Sequence, residues 1–283
     1  MEQLLKWSLA NSKPEDLVNQ AKKDNENGKK IDTSIIDHIL GKDESTQMVE
    51  AMQVIAHPNT TLEDKEIAFD NLEMLVEHID NAKNLEPLKL WEPILALLKH
   101  DEPVLRKYAA WVCATATQNN PQAQKNFLDR NGLQSIIDCL KSEKELEVRK
   151  KCIYAISCSI RHHNEALTQF QVLSGFQLLT EIIKDQSENE NVKSRIVFLF
   201  NSLVVDEPTI LSIFKEHGIF DNLISNLKEG YGGEDFVEKT LQFFNTSNGL
   251  NEDQKAQLKE LIPKFQAQYP EILSASEWTQ LTA

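Results

Sequence analysis

Glycine and proline are scarce, nine of each in 283 residues, about half the share of an average chain. So few turn formers argue against a hairpin-rich β protein. No stretch approaches the ~18 consecutive apolar residues that cross a bilayer, so no membrane partner is expected. Basic residues are also in deficit. Thirty Lys and Arg stand against 44 Asp and Glu, a net charge of −14, which speaks against nucleic acid held through its phosphates. The opening Met1-Glu2-Gln3-Leu4-Leu5-Lys6-Trp7 lacks the apolar run and small-residue cleavage site of a secretory leader. The four cysteines at 113, 139, 152 and 158 contain no Cys-x-x-Cys pair and read as small buried hydrophobes in a reducing compartment. The composition is that of a soluble, acidic, cytoplasmic, mostly helical protein.

Catalytic motifs are missing too. Seven histidines are scattered without His-Glu-x-x-His spacing, and His162-His163 reads as a doublet favoured near a helix C-terminus. Gly230-Tyr231-Gly232-Gly233 lacks the following Lys-Ser or Lys-Thr of a phosphate loop and reads as a mobile turn. No Gly-x-Ser-x-Gly elbow is present. No catalytic residue, metal or cofactor is therefore expected, and the chain does not read as an enzyme.

What the chain does contain is helical periodicity. Leu4, Leu5, Trp7 and Leu9 make a short amphipathic stretch, followed by a polar run to Lys30 that buries too little to order itself. Residues 1–30 thus read as a flexible segment and 31–283 as the folded body. Ile35, Ile36, Ile39 and Leu40 begin the helical pattern, and Met48, Val49, Met52 and Ile55 continue it. A third helix starts after Thr61 and carries Ala68, Leu72, Leu75, Val76 and Ile79 on one face. Phe236 to Phe244 suggests another helix, and Leu258, Leu261, Ile262 and Phe265 a last one.

Between these flanks the sequence repeats. Gly132, Gly175 and Gly218 lie 43 residues apart, each preceded five positions earlier by Phe127, Phe170 and Ile213. Leu105-Arg106, Val148-Arg149 and Val192-Lys193 follow at 43 and 44, as do Trp111, Tyr154 and Phe198. Clear repeats run over about 88–130, 131–173 and 174–217, with degenerate ones on both sides. A helical period of ~40–47 residues is the mark of armadillo or HEAT solenoids, whose helix sets bury their second apolar face only by stacking. The expected fold is all-α, an armadillo-like right-handed helical solenoid with atypical capping repeats. Glycine would open each second helix, and the Val-Arg pair would lie near the start of each third.

On the third helices Tyr108, Trp111 and Thr115, then Lys151, Tyr154 and Cys158, then Arg195, Phe198 and Ser202 form trios at i, i+3, i+7. Stacked third helices line the inner surface of such a solenoid. The trios would make an aromatic and basic ladder along it, suited to an acidic or mixed partner. The aromatics equally suit the filling of gaps between repeats.

Several stretches resemble the fungal armadillo-type nucleotide exchange factors of the 70-kDa heat-shock chaperone, relatives of the human heat-shock-protein-binding protein. They are Met1 to Ser8, Ala68-Phe69-Asp70-Asn71, His78 to Ala82, Leu88 to Pro93, Thr117 to Asn120, and Lys151 to Ser157. The resemblance runs from residue 1 to about 225 and leaves the stretch beyond about 235 unassigned. It implies a monomer whose concave face wraps a lobe of the chaperone's ATPase domain, so that ADP leaves faster and client folding is promoted. It also implies contacts at Asn81 and Ala82 in the Asp-Asn-Ala turn and at Arg195, beside the ladder residues Tyr108, Trp111, Lys151, Tyr154 and Phe198. Leu4, Leu5, Trp7 and Leu9 would form a client-release segment. The competing readings are a peptide-binding armadillo adaptor and a scaffold without exchange activity. Adaptor grooves use Trp-x-x-x-Asn on successive third helices, and here Thr115, Cys158 and Ser202 stand where asparagine is needed.

Overall fold

A computed structural model describes residues 42–282. The expected flexible segment 1–30, with its Leu4, Leu5, Trp7 and Leu9, and the Ile35–Leu40 helix lie outside the described residues. Met48–Ala283 group as one compact unit. The described residues form helices and a single 3-10 turn, with no strand among them.

Helix α1 (Glu44–Ala56) precedes α2 (Leu62–Val76), which Thr61 caps by accepting the Asp64 N–H at 3.2 Å. Triplets of helices follow. The first is α3 (Ile79–Asn84), α4 (Trp91–Leu97) and α5 (Pro103–Thr117); the next is α6 (Pro121–Asp129), α7 (Gly132–Ser142) and α8 (Leu146–Ile160). Then come α9 (Asn164–Val172), α10 (Gly175–Lys184) and α11 (Glu190–Asp206). The last triplet is α12 (Leu211–Glu216), preceded by the 3-10 turn Pro208–Ile210, with α13 (Ile219–Lys228) and α14 (Glu234–Ser247). Third helices α2, α5, α8, α11 and α14 pack side by side as one layer. Helices α15 (Glu252–Gln268) and α16 (Ala275–Thr282) close the C-terminal end. Helix α16, which buries Trp278 and Leu281, lies beyond the α15 pattern that the sequence suggested as the last helix.

The repeat is built by one backbone device. Lys89, Asn131, Ser174 and Gly218 all adopt left-handed φ, between 57° and 63° for the last three and 58° for Lys89. Each swings the chain from a first helix into a second. The structural period is therefore 42, 43 and 44 residues, and Gly218 aligns with Ser174 rather than with Gly175. The equivalent of Phe127 and Phe170 is then Phe214, fully buried, while Ile213 only packs against the core. Gly132 and Gly175 have another reason. A Cβ at either would fall inside the ring of Phe127 or Phe170, so glycine there admits the phenyl group. In the last triplet Gly218 takes the left-handed turn itself, and Ile219 can stand at the helix start.

The Val-Arg pairs begin the third helices as expected and tie repeat to repeat. Arg106 of α5 donates from Nε to Glu143 at 2.6 Å and from its other nitrogens to Glu143, His100 O and Asp101 O. Arg149 of α8 binds Glu188 of the next repeat. Lys193 of α11 is fully buried, donates to Asn226 Oδ1 at 2.9 Å and stands 3.6 Å from the Tyr231 ring. Burial lowers its pKa to about 8.

Three local expectations are corrected by this packing. Ile79 is 56 % exposed because α2 ends at Val76, before the apolar stripe reaches it. The segment Gly230–Gly233 is pinned: Tyr231 OH donates to Glu188 O, and Gly233 N–H donates to Glu190 at 2.6 Å. The His162-His163 doublet follows the end of α8 as expected, but His163 serves the next helix, opening α9 as an acceptor: its Nδ1 takes the Ala166 N–H at 3.0 Å. In the preceding repeat Asn120 caps α6 in the same way, accepting the Ala123 N–H at 3.3 Å.

Candidate partner-binding face

The third helices bury one stripe and leave another open. On α11 Val192, Ile196, Leu199 and Leu203 are buried, whereas Arg195 and Phe198 stand out, Phe198 with 52 % of its surface exposed. On α8 the neighbouring stripe presents half-buried Lys151, Tyr154 and Ser157. On α5 it presents Trp111 and Thr115.

These groups interlock across helices. Lys151 Nζ lies 3.3 Å from the Trp111 ring centroid and 5.9 Å from that of Tyr154. An ammonium over an aromatic face is drawn by the ring quadrupole, and both rings sit on that one cation. Burial draws the Lys151 pKa down to about 8; Glu73 opposes this, and the Arg195 and Lys107 charges reinforce it. Tyr154 OH donates to Gln118 Oε1 at 2.9 Å, and burial pushes its phenol up to about 12. Thr115 Oγ1 donates to Glu73 at 2.6 Å. Arg195 has no ion pair or hydrogen bond among the described residues.

Between α5, α8 and α11 lies a cleft of about 310 Å³ bounded by Gln118, Tyr154, Ser157, Arg161, Arg195 and Phe198. A second, also about 310 Å³, opens between α11 and α14 beside Asn191, Asp235 and Lys239. Arg195 and Phe198 line both, forming the rib between them. The periodic successor of Lys151 and Arg195 is Lys239, which pairs with Asp235 on its own helix. Sequence inspection missed Gln118, Arg161 and Lys239, which fall outside the trios. Lys239 carried a signal, the 44-residue step from Arg195.

Not all expected contact residues reach this face. Asn81 and Ala82 are buried, with 5 % and 1 % exposure. Asn81 Nδ2 donates to Leu75 O at 3.0 Å, so the pair locks the α2–α3 corner from inside. A long side chain at Ala82 would overfill the core and lower the melting temperature, contrary to the expectation of an interface position. Tyr108, 7 % exposed, is also a packing residue. Its ring stacks between Phe69 (5.2 Å, 11°) and Trp111 (5.9 Å, 16°), and burial and Asp70 push its phenol up to about 12. For the aromatics both readings hold, each for different members: Tyr108 fills a gap, whereas Phe198 is open. The remaining ladder residues Trp111, Lys151, Tyr154, Arg195 and Phe198 share one surface.

No group of three or more His, Cys, Asp and Glu able to hold a metal occurs among the described residues. No described helix is long and apolar enough to cross a membrane.

Helix triplets turning on left-handed residues, with a third-helix layer carrying open cationic and aromatic side chains, define an armadillo-like helical repeat protein. Solved structures agree on the fold. A designed armadillo repeat protein, YIII(Dq)4CqI, superposes with TM-score 0.64 at 15 % identity over 83 % of this chain and 98 % of its own. Another, YIII(Dq.V1)4CPAF in complex with peptide (KR)4, gives 0.65 at 16 % identity over 83 % and 97 %.

Sequence comparison narrows the class. Residues 1–85 match the family described as nucleotide exchange factor Fes1, and residues 81–228 match the SIL1/FES1/HPBP1 C-terminal domain. The Hsp70 nucleotide exchange factor fes1 of Schizosaccharomyces pombe is 35 % identical over 88 % of this chain and 89 % of its own. Those of Kluyveromyces lactis and Saccharomyces cerevisiae are 39 % and 34 % identical, covering 88 % and 92 % of this chain and 81 % and 92 % of their own. The chain belongs to the Fes1 family of Hsp70 nucleotide exchange factors.

Proposed function

We propose that this chain is a co-chaperone that binds the ATPase domain of the 70-kDa heat-shock chaperone and accelerates ADP release. The observation that carries the reading, beside family membership, is the open stripe of Trp111, Lys151, Tyr154, Arg195 and Phe198 on the third-helix layer, the concave side of an armadillo solenoid. A desolvated aromatic anchor next to an arginine is the composition of binding hot spots. Arg195 has its hydrogen-bonding capacity free for a partner carboxylate or carbonyl.

Exchange by this route makes and breaks no covalent bond, and the chain is not an enzyme in this reading. The solenoid has to favour the open form of the nucleotide cleft over the closed one. To move a closed-to-open ratio from 99:1 to 1:99 it must bind the open form about 10⁴-fold more tightly. Coupling is reciprocal, so ADP must weaken this chain's binding by the same factor that the chain weakens ADP's. The peptide-adaptor alternative is disfavoured by the side chains at the asparagine register: Thr115 is engaged with Glu73, and Cys158 is buried.

We read the protein as a cytoplasmic monomer, a compartment that suits its four free thiols. Residues 1–30, with Leu4, Leu5, Trp7 and Leu9, are proposed to assist client release. The test is stopped-flow release of labelled ADP from the isolated ATPase domain, with and without this chain. Acceleration that saturates with concentration is expected. An unchanged rate despite measurable binding would leave only the scaffold reading. Deleting residues 1–30 is expected to preserve ADP release and slow peptide release from the full chaperone.

A further inference from the structure

Three of the four cysteines gather at one place behind the third-helix layer. Cys152 of α8 donates its thiol hydrogen to Cys139 Sγ of α7 across 3.6 Å, and Cys113 of α5 is the next thiol to them. Cys113 and Cys152 are wholly buried, whereas Cys139 keeps 6 % exposure. Its exposed edge lines a polar recess of about 460 Å³ bounded by Lys99, His100, Arg106, Ser142 and Glu143. The pair thus has one member at the floor of a solvent-reached recess and one sealed behind it. Neither contributes to the partner-binding stripe.

We propose that Cys139 and Cys152 are a dithiol site which hydrogen peroxide, entering by this recess, oxidises to a disulfide. Cys139 is assigned the attacking role by position, since of the two residues only Cys139 lines the recess. Its environment agrees: the hydrogen bond from Cys152 lowers its pKa against the opposing effects of burial and of the Glu143 charge, with a smaller lowering from Arg106. Giving that hydrogen bond, together with burial, pushes the Cys152 thiol up. The polarity is that of an attacking and a resolving thiol.

The chemistry closes in two steps. The Cys139 thiolate attacks one peroxide oxygen, the O–O bond breaks, and hydroxide leaves as Cys139 becomes a sulfenic acid. Cys152 then gives up its proton and attacks the Cys139 sulfur. The S–O bond breaks, hydroxide leaves, and the released protons convert both hydroxides to water. Two thiols lose two electrons and one peroxide gains them. A disulfide needs an S–S length near 2.05 Å, so the sulfurs, 3.6 Å apart, must approach by about 1.5 Å. The bond would join the second helix of a repeat to its third, one residue from Lys151.

The experiment uses the full chain treated with hydrogen peroxide, quenched, denatured, alkylated and digested without reduction. Peptide mass spectrometry is expected to show a Cys139–Cys152 cross-link, two alkylatable thiols left of four, and recovery of all four with dithiothreitol. Cys139→Ser and Cys152→Ala should abolish the cross-link, and Cys113→Ala should keep it, with circular dichroism confirming that each variant folds. Should Cys152→Ala unfold, Cys139→Ser and the wild-type cross-link decide the matter alone. Oxidation of exposed Met74 reports that the dose was sufficient. Four intact thiols at that dose overturn the proposal. So does a bond to Cys113 or Cys158, or a sulfinic acid at Cys139 with Cys152 still free.

Discussion

The third helices carry two rows of cations at the same period, and the rows meet opposite fates. Arg106, Arg149 and Lys193 turn toward the next repeat, where Glu143, Glu188 and Asn226 receive them. Lys151 and Arg195 turn outward, one resting on Trp111 and the other without any hydrogen bond or ion pair among the described residues. Charge alone does not separate them. The first row has acceptors supplied by the turns after α7 and α10 and by Asn226 of α13, which the stacking of repeats brings within reach; in the second, Arg195 faces solvent and Lys151 rests half-buried on Trp111. A cation whose partner comes from within the fold supports the fold, and a cation without one is available for another molecule.

The largest effects should come from breaking the inner row. Glu143 is 3 % exposed at its side chain and Arg106 17 %. Removing one partner of a buried pair costs about 3–5 kcal/mol, which at a few degrees per kcal/mol means a melting temperature lower by about 10 °C for Glu143→Ala. Ala82→Arg should be of similar severity through overpacking. Calorimetry checks both, and a Glu143→Ala variant that melts with the wild type would show that the inner row does not hold the repeats.

The outer row should behave in the opposite way. Arg195→Ala and Phe198→Ala should leave melting within about 2 °C, since exposed sites contribute little to stability. If Arg195 makes a charged hydrogen bond of about 1.5–3 kcal/mol with the partner, its loss raises the half-maximal concentration for ADP release by at least about tenfold. Titrated exchange rates measure this. Normal exchange by the double variant would move the interface elsewhere.

Acid should weaken the inner row before the outer one. Burial works to raise the Glu143 pKa, but the Arg106 hydrogen bond and the N–H groups of Glu145 and Lys144 hold it below its ordinary value of 4.5. Its contribution is therefore present above that value and lost as pH falls through the lower folded one. Glu143→Gln should flatten the wild-type stability slope in that acidic window, read by denaturant midpoints across pH.

The smallest effect concerns Lys151. With a folded pKa of about 8 against 10.5 ordinarily, the unfolded chain holds a proton between those values that the folded chain has released. Stability gains a small contribution as pH rises through that window. Partner binding should move the other way, weakening severalfold from pH 7 to 9 as the ammonium loses its charge. Lys151→Met should bind with less pH dependence, and an identical profile would remove Lys151 from the interface.

The amino-acid sequence by itself determined the class of fold, because a repeat must use the same apolar seam in each turn of the solenoid. Val192, Ile196, Leu199 and Leu203 were legible on that ground and are buried together. So were the ladder positions Trp111, Tyr154 and Phe198, which fall at constant spacing. Only the tertiary structure decided which member of a repeated position is open. Tyr108 and Arg195 both belong to trios, yet Phe69 and Trp111 enclose Tyr108, whereas no ring of α8 or α14 covers Arg195. The register at Gly218 was decided there as well. A left-handed turn accepts asparagine, serine or lysine as well as glycine, so the residue type repeats less faithfully than the backbone angle. Ala82 and the Cys139–Cys152 contact were out of reach of any pattern. Burial and proximity across α7 and α8 depend on how neighbouring helices pack, and spacing along one chain carries no record of that distance.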